Sequence, residues 1–308
     1  MKIAILGASS QIAKDLIFSM RDRVDYELIL YGRCMASIAS WLTSVDLSDR
    51  HLVCGYEDYG VHPHDVVMNF IGVGDPARAE KMGEEIFDIT YKFDKLVLDD
   101  LKKNPNRKYL FLSSGSVYGS DFNNPVNSFS KACVNINSFT PQAYYPLAKL
   151  YAECRHRALQ QYNIVDLRIF NYFSSSVELS SKFFLTDVVN AVISKIELTT
   201  INQNIFRDYL TPQDFVQIID CVIKHPPMNL SIDCYSRKSV SKFEILDMFC
   251  EKFNLKYKFL DVYQSINATG HKKYYYSDCR LARDFGYNPK YSSLEGLEIE
   301  AAKIFAKF

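Results

Sequence analysis

The chain has 308 residues, 48% hydrophobic and 23% charged, with 36 Lys plus Arg against 36 Asp plus Glu, a formal net charge of zero. The length exceeds one typical domain and can bury a large core, and the composition is that of a soluble globular protein. The neutral balance excludes bulk attraction to nucleic acid or to an anionic membrane surface, so neither is expected as a partner.

Taken in order, Lys2-Ile3-Ala4-Ile5-Leu6 is an apolar run that stops at Gly7. It is too short for a signal sequence and suits a strand buried on both faces of a parallel sheet. Ile12, Leu16, Ile17 and Met20 follow at helical spacing, and Leu28-Ile29-Leu30 is a second apolar run ending at Tyr31-Gly32-Arg33. The chain therefore opens with a β-α-β unit. Its first turn, Gly7-Ala8-Ser9-Ser10-Gln11-Ile12-Ala13, lies where a dinucleotide-binding fold places its phosphate loop. Small residues there let backbone N–H groups approach a pyrophosphate, and the helix N-terminus favours its charge. Gly7, Ser9, Ser10, Gln11, Ile12 and Ala13 are the expected cofactor contacts. Ser10 stands where a second glycine is usual, and its Cβ is expected to weaken binding. After the second strand an acid would accept from the adenosine ribose, whereas Arg33 suits a 2'-phosphate. NADP(H) is the preferred cofactor on this reading, with NAD(H) the alternative.

Val66-Val67-Met68-Asn69-Phe70-Ile71, Tyr109 to Leu112 and Ile164 to Phe170 are further strand candidates, and a helical pattern spans 84–103. Strands alternating with helices predict an α/β fold, a Rossmann-like doubly wound parallel sheet whose ligands lie beyond the carboxyl ends of the strands. Residues 1–172 are expected to form the dinucleotide-binding domain, with 211–240 returning to it. Residues 173–210 and 241–308 are expected to form a smaller α/β substrate lobe. Phe183 to Ile193 is interrupted by Asp187 and Asn190, so no membrane span is predicted. The eight cysteines are scattered without a C-x-x-C pair, and His62 and His64 have no partners at zinc-like spacing. Reduced thiols, a cytoplasmic location and no metal site follow as expectations.

Tyr145-Pro146-Leu147-Ala148-Lys149 places a phenol and an ammonium on one helix face. Such a lysine is expected to lower the phenol's pKa toward neutrality, which fits the phenol for proton exchange with a substrate oxygen. With 21 tyrosines a second pair, Tyr91 and Lys95, arises at the same spacing, and position along the chain must separate the two.

Six segments supply that position. Asp65 to Gly72, Leu112-Ser113-Ser114-Gly115-Ser116-Val117-Tyr118-Gly119, Tyr145 to Lys149, Leu167 to Tyr172, Arg207 to Asp214 and Arg283 to Pro289 stand in the order, and close to the spacing, of the extended short-chain dehydrogenase/reductase family. The chain resembles the family's nucleotide-sugar epimerases, dehydratases and 4-keto reductases nearly end to end. The resemblance selects Tyr145, which follows the serine strand, over Tyr91, which precedes it.

The resemblance implies that Tyr145 is the acid/base, that Lys149 lowers its pKa and holds the nicotinamide ribose, and that Ser114 bonds the reacting sugar oxygen. It further implies cofactor contacts at Ile71 and Gly72, and substrate contacts at Ser116, Asn171 and Arg207, arginine suiting a diphosphate. The family's dehydratases carry Asp-Glu where this chain has Gly115-Ser116, so dehydration is not expected. Its fucose-type epimerase-reductases carry a cysteine at the Ser116 position and a histidine after the sixth strand, both missing here. The expected activity is NADPH-dependent 4-keto reduction of a nucleotide sugar; the alternatives are a 4-epimerase with retained NAD and a non-catalytic nucleotide-binding regulator. The apolar positions Leu147, Leu150, Tyr151 and Cys154 permit a homodimer through the Tyr145 helix, and packing of the same stripe on the sheet is the alternative.

Overall fold

The computed structural model describes residues 1–73, 76–260 and 272–308. The first half runs β1 (Lys2–Leu6), α1 (Gln11–Ser19), β2 (Glu27–Tyr31), α2 (Met35–Ser44), β3 (Leu52–Cys54), β4 (Val66–Asn69), α3 (Pro76–Met82), α4 (Glu85–Lys103), β5 (Lys108–Ser114), α5 (Pro141–Arg157) and β6 (Asn163–Ile169). The second half runs β7 (Asn171–Tyr172), α6 (Phe184–Ser194), β8 (Leu198–Ile201), β9 (Phe206–Arg207), β10 (Tyr209–Leu210), α7 (Pro212–Lys224), β11 (Asn229–Asp233), β12 (Val240–Ser241), α8 (Lys242–Phe253), β13 (Tyr257–Leu260), β14 (Tyr274–Tyr275) and α9 (Ser293–Phe305).

Seven of the described strands form one sheet in the order β11-β6-β5-β4-β1-β2-β3, every pair parallel. Alternate side chains of each strand supply two opposite cores, as period-two geometry requires. Ile3, Ile5, Leu28, Leu30, Val66 and Met68 pack with Leu16 of α1, Leu42 of α2 and Phe215 of α7. Ala4, Leu6, Ile29, Val67, Tyr109 and Phe111 pack with Val97 of α4 and Ala152 of α5. The sheet is thus a doubly wound, Rossmann-like layer, and its strand order reverses between β1 and β4. A cleft opens there, beyond the carboxyl ends of the strands.

A separate apolar cluster joins Leu185 and Val189 of α6, Leu198 of β8, Ile245 and Phe249 of α8, and Leu297 and Ile304 of α9. β8 pairs in parallel with β13, and β9 pairs with β12 and β14. These short pairings form the far wall of the cleft. Of the lobe expected over 241–308, residues 261–271 lie outside the described residues.

Two helix starts hold the site. Thr211 accepts from Asp214 N–H at 3.3 Å and caps α7 directly after β10. Helix α5 begins with Pro141, favourable at a first turn, and continues through Pro146. The missing N–H of Pro146 leaves the helical carbonyl of Gln142 to solvent, and Gln142 is exposed.

Candidate active site

One cleft of about 2270 Å³ contains both the phosphate loop and the Tyr145 region. Gly7 has φ +78, and a Cβ there would meet Ile71 N and Phe70 C at 3.0 Å, so both the turn and the approach of β1 to the end of β4 need glycine. Ser10 has φ −71, open to any residue, and its hydroxyl accepts from Ala13 N–H at 3.4 Å as the N-cap of α1. The serine therefore fits the turn without strain and takes one of the N–H groups that the first turn offers. Gly7, Ser9, Ser10, Gln11 and Ile12 line the cleft, and so do Arg33, Ile71 and Gly72. Ala13 does not; it is buried against the sheet with Leu16 and Ile17, a packing position. Gln11 donates from Nε2 to Ser174 Oγ at 3.0 Å and ties the loop to the segment after β7. A glycine turn, a helix N-terminus with unpaired first-turn N–H groups and an exposed Arg33 make a cradle that fits a dinucleotide.

At the other end, α5 turns Tyr145 and Lys149 toward β5. Lys149 is 2% exposed and donates to Leu112 O at 2.7 Å and Ile71 O at 3.5 Å. Its Nζ stands 4.2 Å from the centroid of Phe111 and 5.9 Å from that of Tyr145. Burial holds the ammonium's pKa down to about 8, against the opposing charges of Asp94, Asp166 and Glu153. The Tyr145 hydroxyl is pushed up, first by burial and then by Tyr275, with a hydrogen bond to Ser114 opposing. This corrects the expectation from spacing. The two side chains share a helix face, but the ammonium is seated on two carbonyls and does not lower the phenol.

Ser114 ends β5 at the centre of a hydroxyl cluster. Its Oγ accepts from Ser116 N–H at 3.2 Å and Ser116 Oγ at 3.0 Å, and lies 3.5 Å from Tyr275 Oη. A Cβ at Gly115 would come within 2.3 Å of the Phe170 ring, so the position that bears an acid in dehydratases has no room for one. Tyr275 escapes sequence reasoning. Its only signal is the run Tyr274-Tyr275-Tyr276, and the pairing of β14 with β9 brings it opposite Arg207.

Arg207 is buried, donates to Phe206 O at 2.7 Å and Lys272 O at 2.9 Å, and lies 5.8 Å from the Tyr275 ring centroid. Lys272 Nζ is 4.8 Å from the same centroid; burial and then Arg207 hold its pKa down to about 8. Both cations line the cleft, as does Asn171, whose Nδ2 donates to Asp208 O at 3.1 Å. Tyr91 and Lys95 lie elsewhere: Tyr91 stacks on Tyr151 and Lys95 pairs with Asp99 on exposed α4 surface. Among the described residues no cluster could hold a metal ion, and no helix is long and apolar enough to cross a membrane.

A sequence profile of the NAD dependent epimerase/dehydratase family matches residues 3–232. No curated protein matches the sequence. Among solved structures, UDP-glucuronic acid 4-epimerase from Bacillus cereus, in complex with UDP-glucuronic acid and NAD, is 18% identical with a TM-score of 0.80 over 100% of both chains. UDP-N-acetylglucosamine 4-epimerase from Methanobrevibacter ruminantium M1, in complex with UDP-N-acetylmuramic acid, is 14% identical with a TM-score of 0.83 over 100% of this chain and 99% of that one. dTDP-glucose 4,6-dehydratase from Bacillus anthracis str. Ames, in complex with NAD, is 16% identical with a TM-score of 0.78 over 99% of this chain and 97% of that one.

Proposed function

Because the chain belongs to the NAD dependent epimerase/dehydratase family, we propose that it is a nucleotide-sugar 4-epimerase that retains NAD. The observation that carries this reading is the hydroxyl cluster of Ser114, Ser116, Tyr145 and Tyr275, whose neighbour Gly115 has no space for an acid. Elimination of water needs a second proton-transfer group. Inversion of one carbinol needs a single acid/base that works in both directions. The 4-epimerases among the structural neighbours support the same choice over one-way reduction.

NAD, when bound, accepts and returns the hydrogen of the sugar carbon at its nicotinamide ring. Gly7 and Gln11 with the start of α1 would hold its pyrophosphate, and Lys149 its nicotinamide ribose. Tyr145 in its deprotonated form takes the proton from the sugar 4-hydroxyl, with Ser114 holding that oxygen by a hydrogen bond. The sugar becomes a 4-ketone, turns its other face, and receives a proton on the oxygen from Tyr145. Arg207 and Lys272 anchor the diphosphate while the sugar turns.

A second reading, one-way 4-keto reduction with NADPH, is favoured by Arg33, which stands exposed at the cleft where an acid would read an unphosphorylated ribose. The test is purification without added cofactor, release by denaturation, and incubation of the native protein with UDP-sugars. Stoichiometric NAD and interconversion of two sugars without added cofactor support the epimerase; stoichiometric consumption of added NADPH with a UDP-4-keto sugar replaces it with the reductase. Tyr145→Phe should lower kcat at least about 100-fold while the NAD content stays unchanged. Loss of NAD from that variant would make Tyr145 a structural residue.

A further inference from the structure

Behind Lys149, outside the cleft, charged side chains alternate in sign through the layer between the sheet and helices α4 and α5. Arg155 Nη1 meets Asp94 Oδ2 at 2.6 Å, Asp94 Oδ1 meets His156 Nε2 at 2.7 Å, His156 Nδ1 meets Asp166 Oδ1 at 2.6 Å, and Asp166 Oδ2 meets Arg157 Nη2 at 2.6 Å. The Asp94, His156 and Asp166 side chains are fully buried. Each carboxylate is bound to a guanidinium and is therefore ionised, so both ring nitrogens of His156 must donate and the ring is an imidazolium. Burial alone would push its pKa down; the Asp166 and Asp94 carboxylates overcome this and hold it up at about 9.

The string reaches Lys149 by two routes. The Phe111 ring, 4.2 Å from Lys149 Nζ, packs edge-on against His156 with centroids 5.2 Å apart. From Asp94 the hydrogen bonds also continue through the strands. Tyr109 donates to Asp94 at 3.1 Å, Asn69 to Tyr109 at 3.1 Å, Ile71 N–H to Asn69 at 2.9 Å, and Lys149 to Ile71 O. The ammonium's own seat consists of neutral carbonyls, so its charge depends on groups standing further back.

Resting on the reading above, we propose that Asp94, pinned by His156, is a positioning residue for Lys149: its fixed negative charge keeps the buried ammonium charged and seated on Ile71 and Leu112. The groups facing Lys149 are Tyr145 and Glu153 from its own helix, Asp94 from α4 and Asp166 from β6. Glu153 is engaged by Arg168 at 2.5 Å and Ser113 at 2.5 Å, and Asp166 by Arg157. Asp94 faces Arg155 and His156 from α5 and Tyr109 from β5, and it alone of the three carboxylates is joined to the Lys149 seat by the hydrogen-bond path through Tyr109, Asn69 and Ile71.

The test needs no turnover. Lys149 is labelled with acetic anhydride across pH 6 to 10 and its modification read by mass spectrometry, with Lys149→Arg as the blank. The wild type should titrate near pH 8, and Asp94→Asn should titrate lower by about half a pH unit or more. Asp99→Asn, on the exposed face of α4, should not move it. An unmoved midpoint in folded Asp94→Asn overturns the proposal. Should that variant not fold, Asp94→Ser, which keeps a hydroxyl for His156 without the charge, carries the same expected shift, and no shift there overturns the proposal equally. In the nucleotide-sugar assay the alkaline limb of kcat/KM should move with the labelling midpoint. A labelling shift in a protein that turns over no nucleotide sugar upholds the role of Asp94 and overturns the proposed reaction.

Discussion

Tyr275 joins the two halves of the candidate site through one side chain. Its hydroxyl lies 3.5 Å from Ser114 Oγ, and its ring stands 4.8 Å from Lys272 Nζ and 5.8 Å from the Arg207 guanidinium. Tyr275→Phe removes the hydroxyl and keeps the ring beside both cations, so on the proposed function it separates orientation of the sugar from binding of the diphosphate. One neutral hydrogen bond contributes about 1 kcal/mol, so kcat should fall about 5- to 10-fold with the affinity for UDP alone unchanged. Steady-state kinetics and UDP titration read the two; weaker UDP binding with unchanged kcat would place the hydroxyl on the wrong side of the site. Tyr145, Lys149 and Ser114 were legible in the sequence through the resemblance of their segments to the family's motifs, since spacing alone offered Tyr91 and Lys95 equally. Tyr275 was not, because it arrives through a two-residue pairing of β14 with β9. The pKa expectation for Tyr145 failed for a related reason: spacing defines a helix face, whereas only packing shows that Lys149 is seated on Leu112 and Ile71.

At the scale of the element, α1 shows how a serine serves where glycine is usual. Ser10 adopts ordinary β-region backbone, and its hydroxyl occupies the N–H of Ala13. A pyrophosphate approaching the same turn competes for that group. Ser10→Gly should therefore raise the affinity of the cofactor-free protein for NAD a few-fold and change stability by only a few tenths of a kcal/mol. Calorimetric titration and thermal melting check both, and weaker binding would show that the serine hydroxyl contacts the cofactor. The β1-α1-β2 unit was legible because a buried run and a helical stripe are local patterns. The elements after β7 were harder to read: β9, β10, β12 and β14 have two residues each, too few to carry a period.

Across the whole molecule, the two faces of the sheet do different work. One face is apolar against α1, α2 and α7, while the other buries the Asp94-His156-Asp166 string beside Phe111 and Tyr109. The sequence displays each of these charged residues but not their convergence, which needs α4, α5 and β6 together. The string gives the fold a pH dependence of definite sign. His156 has a folded pKa of about 9 against an ordinary 6.5, so its contribution is complete below pH 6.5 and is lost as pH rises through 9. Between pH 6.5 and 8 the loss is about 2 kcal/mol, at 1.36 kcal/mol per pH unit. From about pH 7 upward the buried lysines oppose it: Lys108, Lys149, Lys242 and Lys272 have folded pKa values near 8, and the unfolded chain there binds more protons than the fold does. The lysines are common to wild type and His156→Gln, so the difference between the two proteins isolates the histidine. Urea unfolding at pH 6.5 and pH 8 should show the stability advantage of the wild type over His156→Gln, which is less stable throughout, shrinking by about 2 kcal/mol between the two. A parallel pH dependence in both proteins would mean that His156 does not carry the charge that its two carboxylate partners require.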